Sequence, residues 1–219
     1  MRLFKKLSMI SRRGIIFIIL IPIFLGCSGQ NNQIINIVFD KPPTLKKEQE
    51  FISNISSLAL NKNLSKFLKD QNWINSFLIK KHAFKPIEIF IETKEPQYIW
   101  REKFYLDKDL SKFLYFGEHP NLLHLYMPIG MVDEWLKVQD QIYQAVEAFS
   151  LEISSVTYTE AEGWYFQSKN NLRVNLGSDL SSKVFKKLSL TLKYIFEKNL
   201  TPSIIDLRYE DGAALNYGK

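Results

Sequence analysis

Apolar residues recur with two different periods in the first half of the chain. Short runs rich in branched side chains at 34–39, 72–84 and 87–93 predict β-strands. Between the first two runs, apolar residues at helical spacing predict two short helices, which carry Phe51, Ile52, Ile55 and Leu58, and then Leu64, Phe67 and Leu68. The order strand, helix, helix, strand, strand predicts a three-stranded sheet covered on one face by two helices.

Two longer helices and several short strands are predicted in the second half of the chain. The helices occupy about 133–149 and about 179–198, and strands at 152–159, 163–168 and 172–177 lie between them. The apolar side chains expected to face inward from the second helix are Val184, Phe185, Leu188, Leu192, Ile195 and Phe196. The predicted fold class is α+β: a small β-α-α-β-β domain, then a mixed α/β domain with an extended antiparallel sheet and two long helices.

The end of the chain, IIDLRYEDGAALNYGK at 204–219, has the pattern of a β-hairpin. Alternating residues lead to Asp211-Gly212, where we expect the glycine to supply the positive φ of a tight turn. Alternation divides the first strand into two faces, with Ile204, Asp206 and Arg208 on one, and Ile205, Leu207 and Tyr209 on the other.

The polar face of this strand allows two interpretations. An ion pair between Asp206 and Arg208 would make it an ordinary solvated face. Alternatively, it faces a partner, because Arg and Tyr are enriched in binding hot spots and a terminal strand offers an unpaired edge. The residues alone leave both interpretations open.

The distribution of charge indicates a membrane rather than a nucleic acid. The chain has 29 Lys and Arg, 23 Asp and Glu, and a net charge of +6, but five of the cations precede the first acidic residue, Asp40. Removing them leaves 29 − 5 = 24 cationic against 23 acidic residues, so no nucleic-acid surface is indicated. Residues 14–29, which follow these cations, carry no charge.

This uncharged segment supports two forms of membrane attachment. Its length lies between the roughly 7–15 residues of a signal-peptide core and the about 20 residues that span a bilayer. One interpretation is an uncleaved anchor at 14–30 behind a cytoplasmic tail at 1–13, an orientation that the positive-inside rule favours. The other is a lipoprotein acylated at Cys27. Cys27 is the only cysteine in the sequence, so no intrachain disulfide can form.

The sequence has no recognisable catalytic or metal-binding motif. His82, His119 and His124 have no spacing that would place two imidazoles on one metal. A nucleophile elbow and a glycine loop for phosphate are also missing. We expect Trp73 and Trp164 to be core residues of separate domains. We therefore expect a protein that is not an enzyme and that takes no metal, cofactor or small-molecule substrate.

Three stretches resemble the FtsQ family of bacterial cell-division proteins. The most specific is Ile205-Asp206-Leu207-Arg208-Tyr209 with the following Gly212-Ala213-Ala214, which is similar to the strand and turn that close the family's second domain. The other two are GWYFQSKNNLRVNLG at 163–177 and NWINSFLIKK at 72–81. The order of predicted elements is similar over essentially the whole chain.

The resemblance implies a non-enzymatic scaffold of the cell-division machinery. Its parts would be a cytoplasmic tail at 1–13, a transmembrane anchor at 14–30, a POTRA-like domain at 31–101 and an FtsQ-type β domain at 102–219. The anchor would hold the protein in the inner membrane at the division septum, with both domains in the periplasm.

The resemblance also implies partners of the FtsB and FtsL type, which would add a strand to the carboxyl-terminal sheet edge by β-augmentation. The residues assigned to that interface are Arg208 and Tyr209 as side-chain contacts, Gly212 and Ala213 for close backbone approach, and Tyr217 as an interfacial aromatic. The alternative function is that of an envelope lipoprotein with a POTRA-like domain, acylated at Cys27 and acting in envelope assembly.

We predict that the native protein keeps residues 1–26 and carries its domains outside the inner membrane. Protease added to spheroplasts should then digest those domains, because five uncompensated cations hold the amino terminus inside. Mass spectrometry of the native amino terminus provides an independent check. Protection of the domains, or an acylated amino terminus at Cys27, would contradict the anchor.

Overall fold

The computed structural model describes residues 34–41, 48–58, 63–82, 85–114 and 121–218. The predicted anchor, Cys27 and His119 lie outside these ranges. Within them, no helix combines the length and apolar character needed to cross a membrane. The described residues form two compact units, and the chain passes from the first to the second between Glu95 and Pro96.

The first unit has the predicted order of elements. These are β1 (Ile35–Phe39), α1 (Glu48–Leu58), α2 (Leu64–Lys69), β2 (Ile74–Lys80) and β3 (Ile87–Thr93). The strand order in its sheet is β1-β3-β2, with β1 parallel and β2 antiparallel to β3. The prediction of a three-stranded sheet with two helices is therefore confirmed.

Alternate residues of β3 form the floor of this unit's core. Ile87, Ile89 and Ile91 are buried, as their period of two requires. Phe51 of α1 packs edge-on against Trp73, with 5.1 Å between the ring centroids. Trp73 is buried, which confirms its predicted place in a core.

The second unit is larger and contains both long helices. The elements that follow β3 are β4 (Tyr98–Trp100), β5 (Phe104–Leu106), β6 (Lys112–Phe113), β7 (Leu123–Tyr126), α3 (Ile129–Glu147), β8 (Ile153–Thr159), β9 (Gly163–Ser168), β10 (Arg173–Gly177), α4 (Ser182–Glu197), β11 (Ile204–Asp206) and β12 (Ala214–Asn216). Eight of these strands are hydrogen-bonded in the order β12-β11-β10-β9-β8-β7-β4-β5.

The large sheet is mixed, so the expectation of an antiparallel sheet was wrong. The pairs β4–β7, β7–β8 and β10–β11 are parallel, whereas β4–β5, β8–β9, β9–β10 and β11–β12 are antiparallel. The helices explain two of the parallel pairs. Because α3 connects β7 to β8 and α4 connects β10 to β11, each helix carries the chain back to begin a neighbouring strand in the same direction.

One hydrophobic cluster joins the two long helices to the sheet. It includes Trp135 of α3, Leu188 of α4, and Trp164, Phe166 and Ile205 of the strands, all nearly inaccessible to solvent. Trp164 is thus a core residue of a different unit from Trp73, as predicted. One face of the sheet is covered by α3 and α4 through this cluster.

Both helices depart from the sequence prediction at one end. The first begins at Ile129, directly after Pro128, and not at Asp133. In the second, Phe196 was expected to face inward but is 68% exposed. It follows the buried Ile195 by about 100° of helical turn, which takes it out of the apolar stripe.

We predict that Trp73→Ala and Trp164→Ala each lower the free energy of unfolding by about 3–5 kcal/mol, because each leaves a cavity in a core. Chemical denaturation of the full chain in detergent would measure the loss. Phe196→Ala removes an aromatic ring of similar size from an exposed position and is the matched control. A tryptophan variant as stable as the parent would contradict these core assignments.

Candidate functional site

The carboxyl-terminal hairpin forms one end of the large sheet. β11 and β12 are antiparallel, and Ile204, Ile205 and Asp206 lie opposite Asn216, Leu215 and Ala214. β12 is the last strand on this side of the sheet. The predictions of a hairpin and of an edge strand are therefore confirmed. We call the loop Leu207–Ala213, β12 and the following Tyr217 the C-terminal edge.

The connection between the two strands is a wide loop and not the tight turn that Asp211-Gly212 suggested. β11 ends at Asp206, so the loop spans Leu207–Ala213. The described glycines with positive φ are Gly163 and Gly177, and Gly212 is not among them. A β-carbon added to Gly212 would have no atom within 4 Å. The free fold therefore does not require glycine at this position.

Arg208 makes a forked ion pair with Asp206. Its Nε donates to Oδ1 at 2.9 Å and to Oδ2 at 3.1 Å, and its backbone amide also donates to Oδ1 at 3.1 Å. The hydrogen bonds from the Arg208 side chain hold the pKa of Asp206 below its ordinary value of 3.8, despite partial burial. The predicted ion pair between Asp206 and Arg208 is thus confirmed, although Arg208 lies in the loop just beyond the end of β11.

Two glycines with positive φ shape the surface on which Arg208 rests. A β-carbon on Gly177 would lie 3.2 Å from Cγ of Arg208, so the stem of the arginine packs directly on this glycine. Gly163 has φ +74°, and a β-carbon there would come within 2.4 Å of the Gly177 carbonyl. Any larger residue at 163 would displace the backbone beneath Arg208.

A row of polar side chains, which the sequence did not predict, continues from this ion pair across the open face of the sheet. Asn175 lies opposite Asp206 in the parallel register and hydrogen-bonds its carboxylate. Arg173 donates to Asn175 at 2.7 Å and to Glu162 at 2.8 Å, and its guanidinium lies 3.8 Å from the centre of the Tyr165 ring. The charged groups named on this face therefore have hydrogen-bonding partners within the protein itself.

Two tyrosines are the large exposed side chains of the C-terminal edge. Tyr209 is 60% and Tyr217 is 54% exposed. Ile205 and Leu207 are buried as alternation predicts, but Tyr209 does not share their face, because regular strand geometry ends at Asp206. Both rings are accessible to a binding partner.

A groove of about 480 Å³ separates α4 from the C-terminal edge. Its lining residues are Lys183, Lys186, Lys187, Leu190, Thr191 and Tyr194 on the helix, and Glu210, Asp211, Gly212, Ala213 and Leu215 on the edge. Lys187 bridges the two walls: its ammonium group donates to the carbonyl of Leu207 at 2.8 Å and to the carbonyl of Tyr209. Neither the groove nor the role of Lys187 has a signal in the sequence, since both depend on how α4 packs.

Elsewhere in this unit, the hydroxyl group of Tyr126 is bound to a carboxylate. Tyr126 donates to Glu102 at 2.6 Å. Burial, and then this hydrogen bond, raise the pKa of Tyr126 to about 12, so its hydroxyl is a donor at neutral pH. Within the described ranges, no three His, Cys, Asp or Glu side chains are grouped as a metal ion would require.

The chain is an α+β protein of two units, and the larger unit ends in an exposed hairpin. The sheet edge formed by this hairpin is the candidate site. The family model "Cell division protein FtsQ/DivIB, C-terminal" matches residues 99–208. The chain belongs to the FtsQ/DivIB family. The matched range ends at Arg208, so most of the loop and β12 lie beyond it.

Two curated relatives are similar to the chain over 66% of its length. It is 25% identical over 149 residues to the cell division protein FtsQ of Vibrio cholerae, and 23% identical over 148 residues to the cell division protein FtsQ of Aliivibrio fischeri. The matches cover 56% and 57% of those proteins, so the chain spans a little over half the length of each.

We predict that the side chain of Asp206 titrates below pH 3.8, because Arg208 stabilises its charged form. Because the pKa of Asp206 is depressed in the folded state, the ion pair stabilises the fold at pH values above 3.8, the ordinary pKa. This contribution is lost as the pH falls through the lower pKa of the folded state. Carboxyl-carbon NMR would follow the titration. Arg208→Gln should raise the midpoint, and Arg208→Lys, which keeps the charge, should raise it less. A parent midpoint at or above 3.8 would contradict the assignment.

Proposed function

We propose that the chain is a non-enzymatic scaffold of bacterial cell division that binds other division proteins through its C-terminal edge. The observation that carries the proposal is β12, an edge strand without charged residues that lies between the exposed Tyr209 and Tyr217. Membership of the FtsQ/DivIB family supports the cell-division role. The names of the two Vibrio and Aliivibrio relatives agree with it.

The proposed partner is an extended segment of an FtsB- or FtsL-type protein that adds a strand to β12. The carbonyl of Asn216 accepts from the Ser203 amide at 2.8 Å and so points toward β11. Because successive residues of a strand direct their backbone groups to opposite sides, Leu215 and Tyr217 direct theirs to the free edge. An incoming strand would pair with these groups, as in other cases of β-augmentation.

Side chains beside the edge would give the pairing its selectivity. Tyr209 and Tyr217 present aromatic surface, and the side chain of Arg208 is 47% exposed although it is paired with Asp206. Arg and Tyr are the residue types that most often form hot spots in interfaces. Gly212 and Ala213 place no bulky side chain in the way of a partner backbone.

The proposal also assigns roles to the first unit and to the amino-terminal segment at 1–30. The β-α-α-β-β order of the first unit supports a POTRA-like domain. The uncharged segment at 14–30 would anchor the chain in the inner membrane, with both units in the periplasm at the division septum. This placement would bring the C-terminal edge to the same side of the membrane as the extracytoplasmic parts of other single-pass division proteins.

We predict that Tyr209→Ala and Tyr217→Ala each weaken partner binding by at least about tenfold, or ~1.4 kcal/mol. The melting temperature should stay close to that of the parent, because both rings are largely exposed. Calorimetry would use the full chain in detergent and a synthetic peptide covering the periplasmic segment of the FtsB-type protein of the same organism. Phe196→Ala, an exposed aromatic outside the groove, is the control.

Two further variants in the same assay separate backbone pairing from side-chain contacts. Leu215→Pro removes an amide directed to the free edge, whereas Leu215→Ala removes the same packing and keeps the amide, so only the proline should abolish strand addition. Gly212→Ala adds a methyl group where the free protein has no neighbouring atom, so lost binding would report close approach of the partner. Unchanged affinity in both tyrosine variants and in Leu215→Pro would place the partner elsewhere.

A further inference from the structure

Lys187 of α4 hydrogen-bonds the backbone of the loop that carries Arg208 and Tyr209. Lys187 lies one and a half turns into the helix and is half-buried. Its ammonium group accepts no bonds and donates to two backbone carbonyls of the loop, those of Leu207 and Tyr209. These charge-assisted bonds connect positions 20 and 22 residues apart in the chain.

Other contacts hold the two ends of this loop, and at the far end Ala213 packs against the core. Leu207 is held by its buried side chain and by its amide, which donates to the Asn175 carbonyl at 2.9 Å. Arg208 is held by Asp206. Tyr209 has no such support from its own side chain, which is largely exposed. The bond from Lys187 to the Tyr209 carbonyl therefore extends the anchored part of the loop to the residue whose ring is offered to a partner.

We propose that Lys187 is a positioning residue, which fixes the loop backbone so that Arg208 and Tyr209 are held ready for the incoming strand. This inference rests on the proposed function. Two neighbouring lysines on α4, Lys183 and Lys186, are exposed and donate to no carbonyl of the loop within the described structure, so the role is specific to position 187. The ammonium group acts on the partner through the loop and not by attracting it directly.

The test compares substitutions that remove the same charge at neighbouring positions. Lys187→Met keeps an unbranched stem and loses the donor, Lys187→Arg restores donors, and Lys186→Met removes an equal charge from an exposed site. If the ordered loop falls to about a tenth of the population, apparent affinity falls about tenfold. We therefore expect about tenfold weaker binding of the FtsB-type peptide for Lys187→Met, near-parental binding for Lys187→Arg, and little change for Lys186→Met, using the full chain in detergent.

A measurement on the free protein keeps this inference separate from the proposed function. Amide hydrogen exchange of residues 209–212 should speed up in Lys187→Met and not in Lys186→Met, while exchange in the core strands β9 and β10 stays as in the parent. Unchanged loop exchange would overturn the inference, whatever binds. An equal loss of binding in Lys186→Met would also overturn it, because it would show charge attraction. Faster exchange together with no effect of Tyr209→Ala on binding would instead count against the proposed function.

Discussion

Burial of one face of the large sheet under α3 and α4 is the constraint on which the rest of this unit depends. Trp135 and Leu188 from the helices and Phe166 and Ile205 from the strands belong to a single cluster. Each helix connects two parallel strands, so the same helix both covers the sheet and fixes which strands are neighbours. With the helices committed to one face, the polar residues of the strands remain on the other, and the hairpin that follows α4 is left at the end of the sheet.

Local periodicity was enough to predict most elements, because burial on one side forces a period of two in strands and 3.6 in helices. The buried residues of β3 and the buried stripe of α4 up to Ile195 follow this rule. Periodicity does not predict whether two strands pair in parallel, because neither period depends on which strand is the neighbour. The order strand, helix, strand around 123–159 and 173–206 does contain that information, and the parallel pairs could have been predicted from it. Phe196 was misplaced because it lies in the last turn of α4, beside the stripe and not within it.

The candidate site was predictable where its contacts are local and not where they are distant. Asp206 and Arg208 are two residues apart in the chain, so their ion pair could be anticipated. Lys187 contacts loop residues 20 and 22 positions further along the chain. Asn175 lies opposite Asp206 in the parallel register of β10 and β11, which the sequence does not specify. Gly212 misled the prediction in the opposite sense: the sequence Asp-Gly is typical of tight turns, but the Leu207–Ala213 loop is long enough to close without positive φ there.

The small size of β12 determines what kind of partner suits it. Edge strands are commonly protected by being short or by carrying charge, and β12 uses the first device and not the second. A three-residue strand offers few backbone hydrogen bonds, each worth about 0.5–1.5 kcal/mol net. Backbone pairing alone would therefore bind any extended segment only weakly, which limits unspecific association. A partner that binds stably must gain further contacts beside the strand, where Tyr209 and Tyr217 lie. Under the proposed function, the backbone of β12 would set the direction of an incoming chain, and the side chains around it would decide which chain is retained.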